Sequence, residues 1–205
     1  INYVSMSKYS NVTVKHSTVT GKDKIAVLFA EGSIVMGEGD DTNIGGNRYA
    51  EELRKLRLDS TVKAIVFRVN SRGGNAIASD QIWREVELTD KVKPVVVSMG
   101  NYAASGGYYI AAAGRKIIAS PVTITGSIGV FGLIPNAQTL LDKKLGISSD
   151  VVRTNAHSDS PSLTRPLSAF EKDALQDNVE RTYNTFTGVV AAGREMSQPA
   201  VDSIG

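Results

Sequence analysis

The segment "KPVVVSMGNYAASGGYYIAAAG" (residues 93–114) joins two apolar runs through a stretch of small residues that contains one serine. The valine-rich run 93–100 has the length and composition of a buried strand. From about Ala104 the sequence predicts a helix. A strand that leads directly into a helix is typical of α/β proteins, whose functional residues lie in loops at the carboxyl ends of strands. The lone hydroxyl, Ser105, lies in such a loop.

The same alternation continues along the chain on both sides of this segment, so the sequence predicts an α/β fold with a largely parallel sheet. Residues 1–22 are polar and β-branched and are interpreted as a linker or an irregular edge segment. Further strands are predicted at 24–30, 31–37, 62–70, 115–120 and 148–153. Further helices are predicted at 47–59, 75–89, 135–146 and 168–196, the third of them closed by Gly146.

Composition excludes several classes of function. The chain has 205 residues, a formal net charge of +2 and no cysteine. Disulfides, thiolate nucleophiles and zinc–cysteine sites are therefore excluded. The basic residues form no stripe, so the sequence does not indicate nucleic-acid binding. No glycine-rich nucleotide motif follows a strand, and no metal or other cofactor is predicted. No apolar run reaches the ~18–20 residues that span a bilayer.

The start at Ile1 and the close of the chain just after Ser197, a predicted helix N-cap, suggest a piece of a longer protein.

Two glycine loops follow neighbouring predicted strands, at residues 70–74 and 101–107. Gly73 and Gly74 in the first loop, and Gly106 in the second, offer amides without side chains in the way. Amides from two loops beside a hydroxyl are the arrangement that stabilises a tetrahedral oxyanion. The alternative is that Ser105 is a helix N-cap, worth about 1 kcal/mol, and that the glycines serve packing. Composition and spacing leave both interpretations open.

Three blocks resemble the signal peptide peptidase A (protease IV) family of serine proteases, which have the ClpP/crotonase fold of repeated β-β-α units. The resemblance covers roughly residues 24–204, within an expected domain at 23–205, and looks closest to the C-terminal half of the two-repeat form. The blocks are "RVNSRGGNAIASDQIWRE", "KPVVVSMGNYAASGGYYIAAAG" and "SPVTITGSIGVFG".

The resemblance implies a role for each matching position. Ser105 falls on the family nucleophile. Gly73 and Gly106 fall on the oxyanion-hole residues, with Gly74 as neighbour. Ser127 falls on the serine that positions the general base, although a turn serine is the simpler interpretation without the family. Relatives of the family form rings or domes, which implies a homo-oligomer.

The family's general base is a lysine, and this sequence lacks one at the matching position. In the single-repeat form the lysine follows the strand that 148–153 resembles, and about Ser158 occupies that position here. No lysine lies between Lys144 and Lys172. His16 and His157 lie in polar segments, and Lys93, Lys116, Lys143 and Lys144 are predicted to be solvated. In the two-repeat form the lysine belongs to the N-terminal half, so the resemblance implies that this half, or a neighbouring subunit, supplies it.

Two further features bear on substrate. Arg72 stands where the family usually has proline, which leaves the turn less rigid and the amides in place. The apolar segment 130–134 is either ordinary core or a wall for extended apolar peptides, such as remnant signal peptides, that the resemblance implies as substrates. Its candidate binding residues are Val130, Phe131, Gly132 and Leu133.

The resemblance also implies that the full-length protein lies at the bacterial inner membrane and faces the periplasm.

Two other functions are compatible with the fold. A crotonase-type acyl-CoA enzyme would share the paired amides but would use carboxylates, and neither glycine loop contains one. A non-catalytic assembly or binding domain would explain the missing lysine.

Overall fold

The computed structural model describes residues 21–205, so most of the predicted linker, including His16, lies outside the described residues. The strands are β1 (Lys24–Glu31), β2 (Ser33–Val35), β3 (Asn43–Gly45), β4 (Val62–Ser71), β5 (Val95–Ala104), β6 (Lys116–Ile118) and β7 (Ile124–Gly126). The helices are α1 (Gly46–Leu58), α2 (Ala76–Asp90), α3 (Gly106–Ala111), α4 (Gln138–Leu140, continued by a π-helical turn at Leu141–Leu145), α5 (Ala169–Arg194) and α6 (Gln198–Asp202).

The main sheet is parallel and has the order β1-β4-β5-β6, with β7 also pairing with β5. Strand β5 has two partners on one edge, because Val96–Ser98 pairs with β6 and Tyr102–Ala104 pairs with β7. Strands β2 and β3 form a separate parallel pair. The predicted α/β class with a largely parallel sheet is confirmed.

The parallel arrangement brings three strand ends to one edge of the sheet. Strand β4 ends at Ser71, β5 ends at Ala104 and β7 ends at Gly126. Because parallel strands all run in the same direction, their carboxyl-terminal loops meet at the same edge. The glycine loop after β4, the serine loop after β5 and the turn after β7 are therefore neighbours.

The core lies between the central strands and the helices α1 to α3. Phe67 of β4, Leu53 of α1, Ile82 of α2 and Ile110 of α3 are fully buried in one cluster. A second cluster joins α3 to the long helix α5, where Tyr109 packs against Phe186 with ring centroids 4.9 Å apart. These two clusters fix the helices on which the loops of the carboxyl edge depend.

Three predicted elements differ from the structure. The segment 148–153 forms no strand and is exposed, because it has no neighbouring strand in the described chain. The predicted helix 135–146 is reduced to α4 and its π-helical turn, which Gly146 ends in the left-handed conformation (φ 66°). Strand β5 continues to Ala104 rather than ending near residue 100, because β7 pairs with its last three residues. Helix α3 therefore begins at Gly106.

Arg165 links the polar loop 154–167 to α5. The guanidinium of Arg165 donates to both oxygens of Asp159, at 2.8 and 2.9 Å, and to both oxygens of Glu171, at 2.8 and 2.6 Å. Glu171 is buried and also accepts from the amide of Ser168, at 2.7 Å, in a capping box. The hydrogen bonds from Arg165, followed by that from Ser168, hold the pKa of Glu171 well below its usual range.

This carboxylate makes stability depend on pH. A group whose pKa is depressed in the folded state contributes stability above its unfolded pKa, about 4.3 for glutamate, and that contribution is lost as the pH falls. We therefore expect the free energy of unfolding, measured with urea, to fall between pH 6 and pH 3. Glu171→Gln should reduce that fall, whereas Glu51→Gln on the exposed face of α1 should leave it unchanged. Equal pH dependence in both variants would contradict the prediction.

Candidate active site

Ser105 occupies a strained turn between β5 and α3. Its φ of 52° and ψ of −125° are unusual for a non-glycine residue, and its amide donates to the carbonyl of Gly126 at 2.9 Å. The side chain stands at the N-cap position but makes no capping hydrogen bond. Strained backbone that the surrounding fold maintains is found preferentially at functional sites. Because this capping hydrogen bond is absent, helix capping does not explain why a serine stands at this position.

The amides around Ser105 differ in what they bind. The Gly73 amide donates to Ser71 Oγ at 3.1 Å, and that hydroxyl donates to the carbonyl of Gly32 at 2.7 Å. In the part of the chain that the structure describes, the amides of Gly74 and Gly106 donate to no protein acceptor. A Cβ atom on Gly106 would lie 3.2 Å from the Gly74 nitrogen, so the two amides are close neighbours. An oxyanion bound by Gly73 would have to displace the Ser71 hydroxyl, whereas Gly74 and Gly106 require no such exchange.

Ser127 follows β7 directly and is exposed, with a φ of 50°. The hydroxyl of Thr125 donates to the carbonyl of Ala103 at 2.9 Å, which ties the end of β7 to the end of β5. Of the non-glycine residues at positions 21–205, three have positive φ, namely Ser105, Ser127 and Glu195. The first two lie in the same cavity.

The cavity has a volume of about 750 Å³ and is lined by most of the predicted site residues. The wall includes all three predicted oxyanion glycines, both serines, and Val130 and Phe131 of the predicted substrate wall. Gly132 and Leu133 do not line it, and Leu133 is exposed. The lining residues are Arg72, Gly73, Gly74, Asn75, Ala76, Ser79, Ser105, Gly106, Tyr109, Ser127, Gly129, Val130, Phe131, Thr182 and Phe186.

Several functional neighbours were not predicted from the sequence. Thr182 and Phe186 reach the wall from α5, and Ser79 reaches it from α2. Asn70 accepts from the amides of Asn101 and Tyr102, at 3.1 and 3.2 Å, and so holds the two glycine loops together. The position of Asn70 at the end of a predicted strand, beside Ser71, was the signal that could have indicated this role.

The described residues that line the cavity include no lysine, histidine, aspartate or glutamate. Tyr109 does line it, but its hydroxyl donates to Asp80 at 2.7 Å, and burial together with that hydrogen bond raises the pKa of the hydroxyl. The described residues of this wall also include no carboxylate, the group that the crotonase-type alternative would use.

One of the four lysines predicted to be solvated is not. Lys93 is buried, and its Nζ donates to the carbonyls of Leu56 and Asp59, each at 2.8 Å. These carbonyls lie at the carboxyl-terminal end of α1, where a cation satisfies unpaired acceptors and the helix dipole. Lys116, Lys143 and Lys144 are exposed, as predicted.

The position matching the family lysine lies in a self-contained turn. Ser158 Oγ donates to the carbonyl of Asn155 and accepts from the amide of Thr154, each at 3.2 Å. The neighbouring Asp159 is bound by Arg165. Ser158 is exposed and does not line the cavity.

Comparison with known proteins identifies the fold and the family of the chain. The family model described as "Peptidase family S49" matches residues 87–205, and that described as "Clp protease" matches residues 16–125. Similar structures include ClpP1 from Listeria monocytogenes, with a TM-score of 0.54 and 14% identity over 86% of this chain and 77% of that one. The fold is therefore that of the ClpP class, as predicted.

The chain belongs to peptidase family S49, and the predicted resemblance to the signal peptide peptidase A group of serine peptidases is confirmed. It is 43% identical to "Protease 4" from Haemophilus influenzae over 89% of this chain, and 43% identical to "Protease 4" from Salmonella typhi over 99%. It is 34% identical to "Serine protease SPPA, chloroplastic" from Arabidopsis thaliana over 98%.

These alignments cover 29%, 32% and 30% of the three relatives, so the chain spans about a third of their length. Within residues 21–205, no helix is both long and apolar enough to cross a membrane.

Proposed function

We propose that this chain carries the nucleophile of a Ser/Lys endopeptidase, and that Ser105 is that nucleophile. The observation that supports this most directly is the cavity that holds Ser105 beside two amides with no protein acceptor among residues 21–205. Ser105 stands at the N-cap position of α3, but its hydroxyl makes no capping hydrogen bond. The family membership of the chain supports the same reaction class.

The proposed reaction is acyl transfer. Ser105 Oγ attacks the peptide carbonyl while its proton passes to the base, and the carbonyl oxygen becomes an oxyanion bound by amides of the two glycine loops. Gly106 donates from one loop, and Gly73 or its neighbour Gly74 donates from the other. Collapse of the intermediate breaks the peptide bond, and the leaving amine takes the proton. Water then hydrolyses the ester and restores the Ser105 hydroxyl.

The base is proposed to be a lysine from outside this chain, contributed by another part of the same polypeptide or by a neighbouring subunit of a homo-oligomer. A lysine acts as a base near neutral pH only when burial lowers its pKa. The open side of the cavity beside Ser127 is a suitable entry for it, because Ser127 is exposed there. The substrates are proposed to be extended apolar peptides, including remnant signal peptides, and the full-length protein is proposed to act at the periplasmic face of the bacterial inner membrane.

The test uses the full-length polypeptide that contains this chain. A fluorophosphonate probe should label it, mass spectrometry should locate the adduct on Ser105, and extended apolar peptides should be cleaved. Mixing the isolated chain with the remainder of the polypeptide should restore cleavage that neither piece shows alone. A folded full-length protein that neither binds the probe nor cleaves any peptide would support the non-catalytic binding domain instead.

Ser127 is proposed to position the lysine rather than to react. Ser127→Ala should lower kcat about 10- to 100-fold and change KM by less than about twofold, because the peptide contacts remain while the base loses its orientation. The acid limb of the pH–rate profile should also move, since a purely structural change would scale the rate at every pH equally. An unchanged profile together with an unchanged kcat would exclude the positioning role.

A further inference from the structure

Arg72 lies between Ser71 and the first oxyanion glycine and lines the cavity. Its side chain is exposed, and its guanidinium carbon lies 4.3 Å from the ring centroid of Tyr102. An arginine that stacks on an aromatic ring is held in place by the ring, while its edge N–H groups remain available to other partners. Arg72 is thus a fixed cation at the wall of the site.

The guanidinium has no carboxylate partner in the described part of the chain. Ion pairs there involve six other arginines and do not include Arg72: Arg48, Arg57, Arg84, Arg115, Arg153 and Arg165. Arg72 is also the only charged residue among the described residues that line the cavity. The rest of the wall is made of glycines, small polar residues and apolar side chains. The cavity therefore has a single positive charge, with no anion of its own to neutralise it.

We infer that Arg72 selects peptides that carry a carboxylate close to the bond to be cleaved. This inference rests on the proposed peptidase function and specifies its substrate class. A planar guanidinium donates two parallel hydrogen bonds to a carboxylate, so it discriminates an acidic group from a neutral one of similar size. Apolar side chains of the same peptide would occupy the wall formed by Val130, Phe131 and Phe186.

The carboxylate has two possible sources, which share the same chemistry. It belongs either to an aspartate or glutamate side chain or to the free carboxyl terminus of a short peptide. Glutamate-to-glutamine pairs at each position near the cleaved bond test the first source. Peptides with free and amidated carboxyl termini test the second.

The experiment measures kcat/KM of the full-length protein on these peptide pairs and compares the acidic-to-neutral ratio between variants. The wild type should prefer one acidic position, or the free terminus, by about tenfold. A preference of this size lies between the effect of an exposed ion pair and that of a desolvated bidentate pair. Arg72→Gln should bring the ratio close to one, and Arg72→Glu should invert it, so that the neutral peptide of each pair is cleaved faster. Arg54→Gln, which removes an exposed arginine on α1 outside the cavity, is the matched control and should keep the wild-type ratio. Raising the salt concentration to about 1 M should reduce the preference.

The outcomes separate the inference from the function on which it rests. If the wild type cleaves peptides and the ratio is the same in the wild type, Arg72→Gln and Arg72→Glu, the selection by Arg72 is wrong while the peptidase proposal stands. If the probe does not label Ser105 and no peptide is cleaved, both fail. Probe labelling of each variant shows that the variant is folded, so a fall in the ratio from about tenfold in the wild type to close to one in a labelled Arg72→Gln protein is direct support.

Discussion

Ser105→Ala in the full-length protein is expected to lower kcat/KM by about 10⁴- to 10⁶-fold, the range in which serine peptidases lose their nucleophile. The loss follows from the proposed chemistry, because no other hydroxyl in the cavity lies in the same turn next to the Gly106 amide. Stability should change little, since the Ser105 side chain makes no capping hydrogen bond and alanine is smaller. Steady-state cleavage of a fluorogenic apolar peptide measures the effect.

The matched control for this variant is Ser60→Ala, in the exposed turn between α1 and β4. It should have wild-type activity and wild-type probe labelling. If Ser105→Ala retains more than about a tenth of the wild-type kcat/KM, the assignment of the nucleophile is wrong, and Ser127 becomes the residue to test.

Gly74→Ala is expected to destabilise the fold strongly. Gly74 has a φ of 155°, and a Cβ there would lie 2.1 Å from the carbonyl oxygen of Ile34, a backbone atom that cannot rotate away. That carbonyl accepts from Asn75 at 2.9 Å while the Ile34 amide donates to Gly73 at 3.0 Å, so the added methyl would separate β2 from the glycine loop. We expect a loss of at least about 3 kcal/mol in the free energy of unfolding. Urea denaturation of the isolated chain measures it.

A glycine of the opposite kind provides the control. Gly188 lies within α5, and a Cβ there would meet only the end of the Gln198 side chain, at 4.0 Å. Gly188→Ala should therefore stabilise the protein by about 0.5–1 kcal/mol, because alanine is the better helix former. Destabilisation by Gly74→Ala that is no larger than the change at Gly188 would mean that the glycine loop can move away from Ile34. Probe labelling of Gly74→Ala then shows whether the site survives that movement.

The sequence predicts the elements that local pattern determines. The runs at 62–70 and 75–89 are found as β4 and α2 with bounds that differ by one residue, because the first is a buried strand and the second an amphipathic helix. The segment 148–153 has strand-forming residues but pairs with no strand within residues 21–205, and pairing is not a local property. The predicted end of β5 is also wrong. The last three residues of β5 pair with β7, which begins 20 residues further along the chain.

The candidate site likewise combines residues that the local sequence pattern reveals with residues that only tertiary contacts bring in. The glycine loops and Ser105 are visible in the sequence as small residues at strand ends, whereas Ser127 was assigned only through the family resemblance; the structure brings all of them into one cavity. Thr182 and Phe186 were missed because α5 packs against the site through tertiary contacts about 80 residues away in sequence. The burial of Lys93 was missed because its partners, two carbonyls at the end of α1, are more than 30 residues away.

Strand β5 ends at the turn that holds the proposed nucleophile, and it pairs with β4 on one side and with β6 and then β7 on the other. The position of Ser105 is therefore set by the sheet, whereas Gly129, Val130 and Phe131 belong to chain without regular structure. If the proposed function holds, substitutions in the irregular wall should change which peptide is preferred while leaving the position of the proposed nucleophile unchanged.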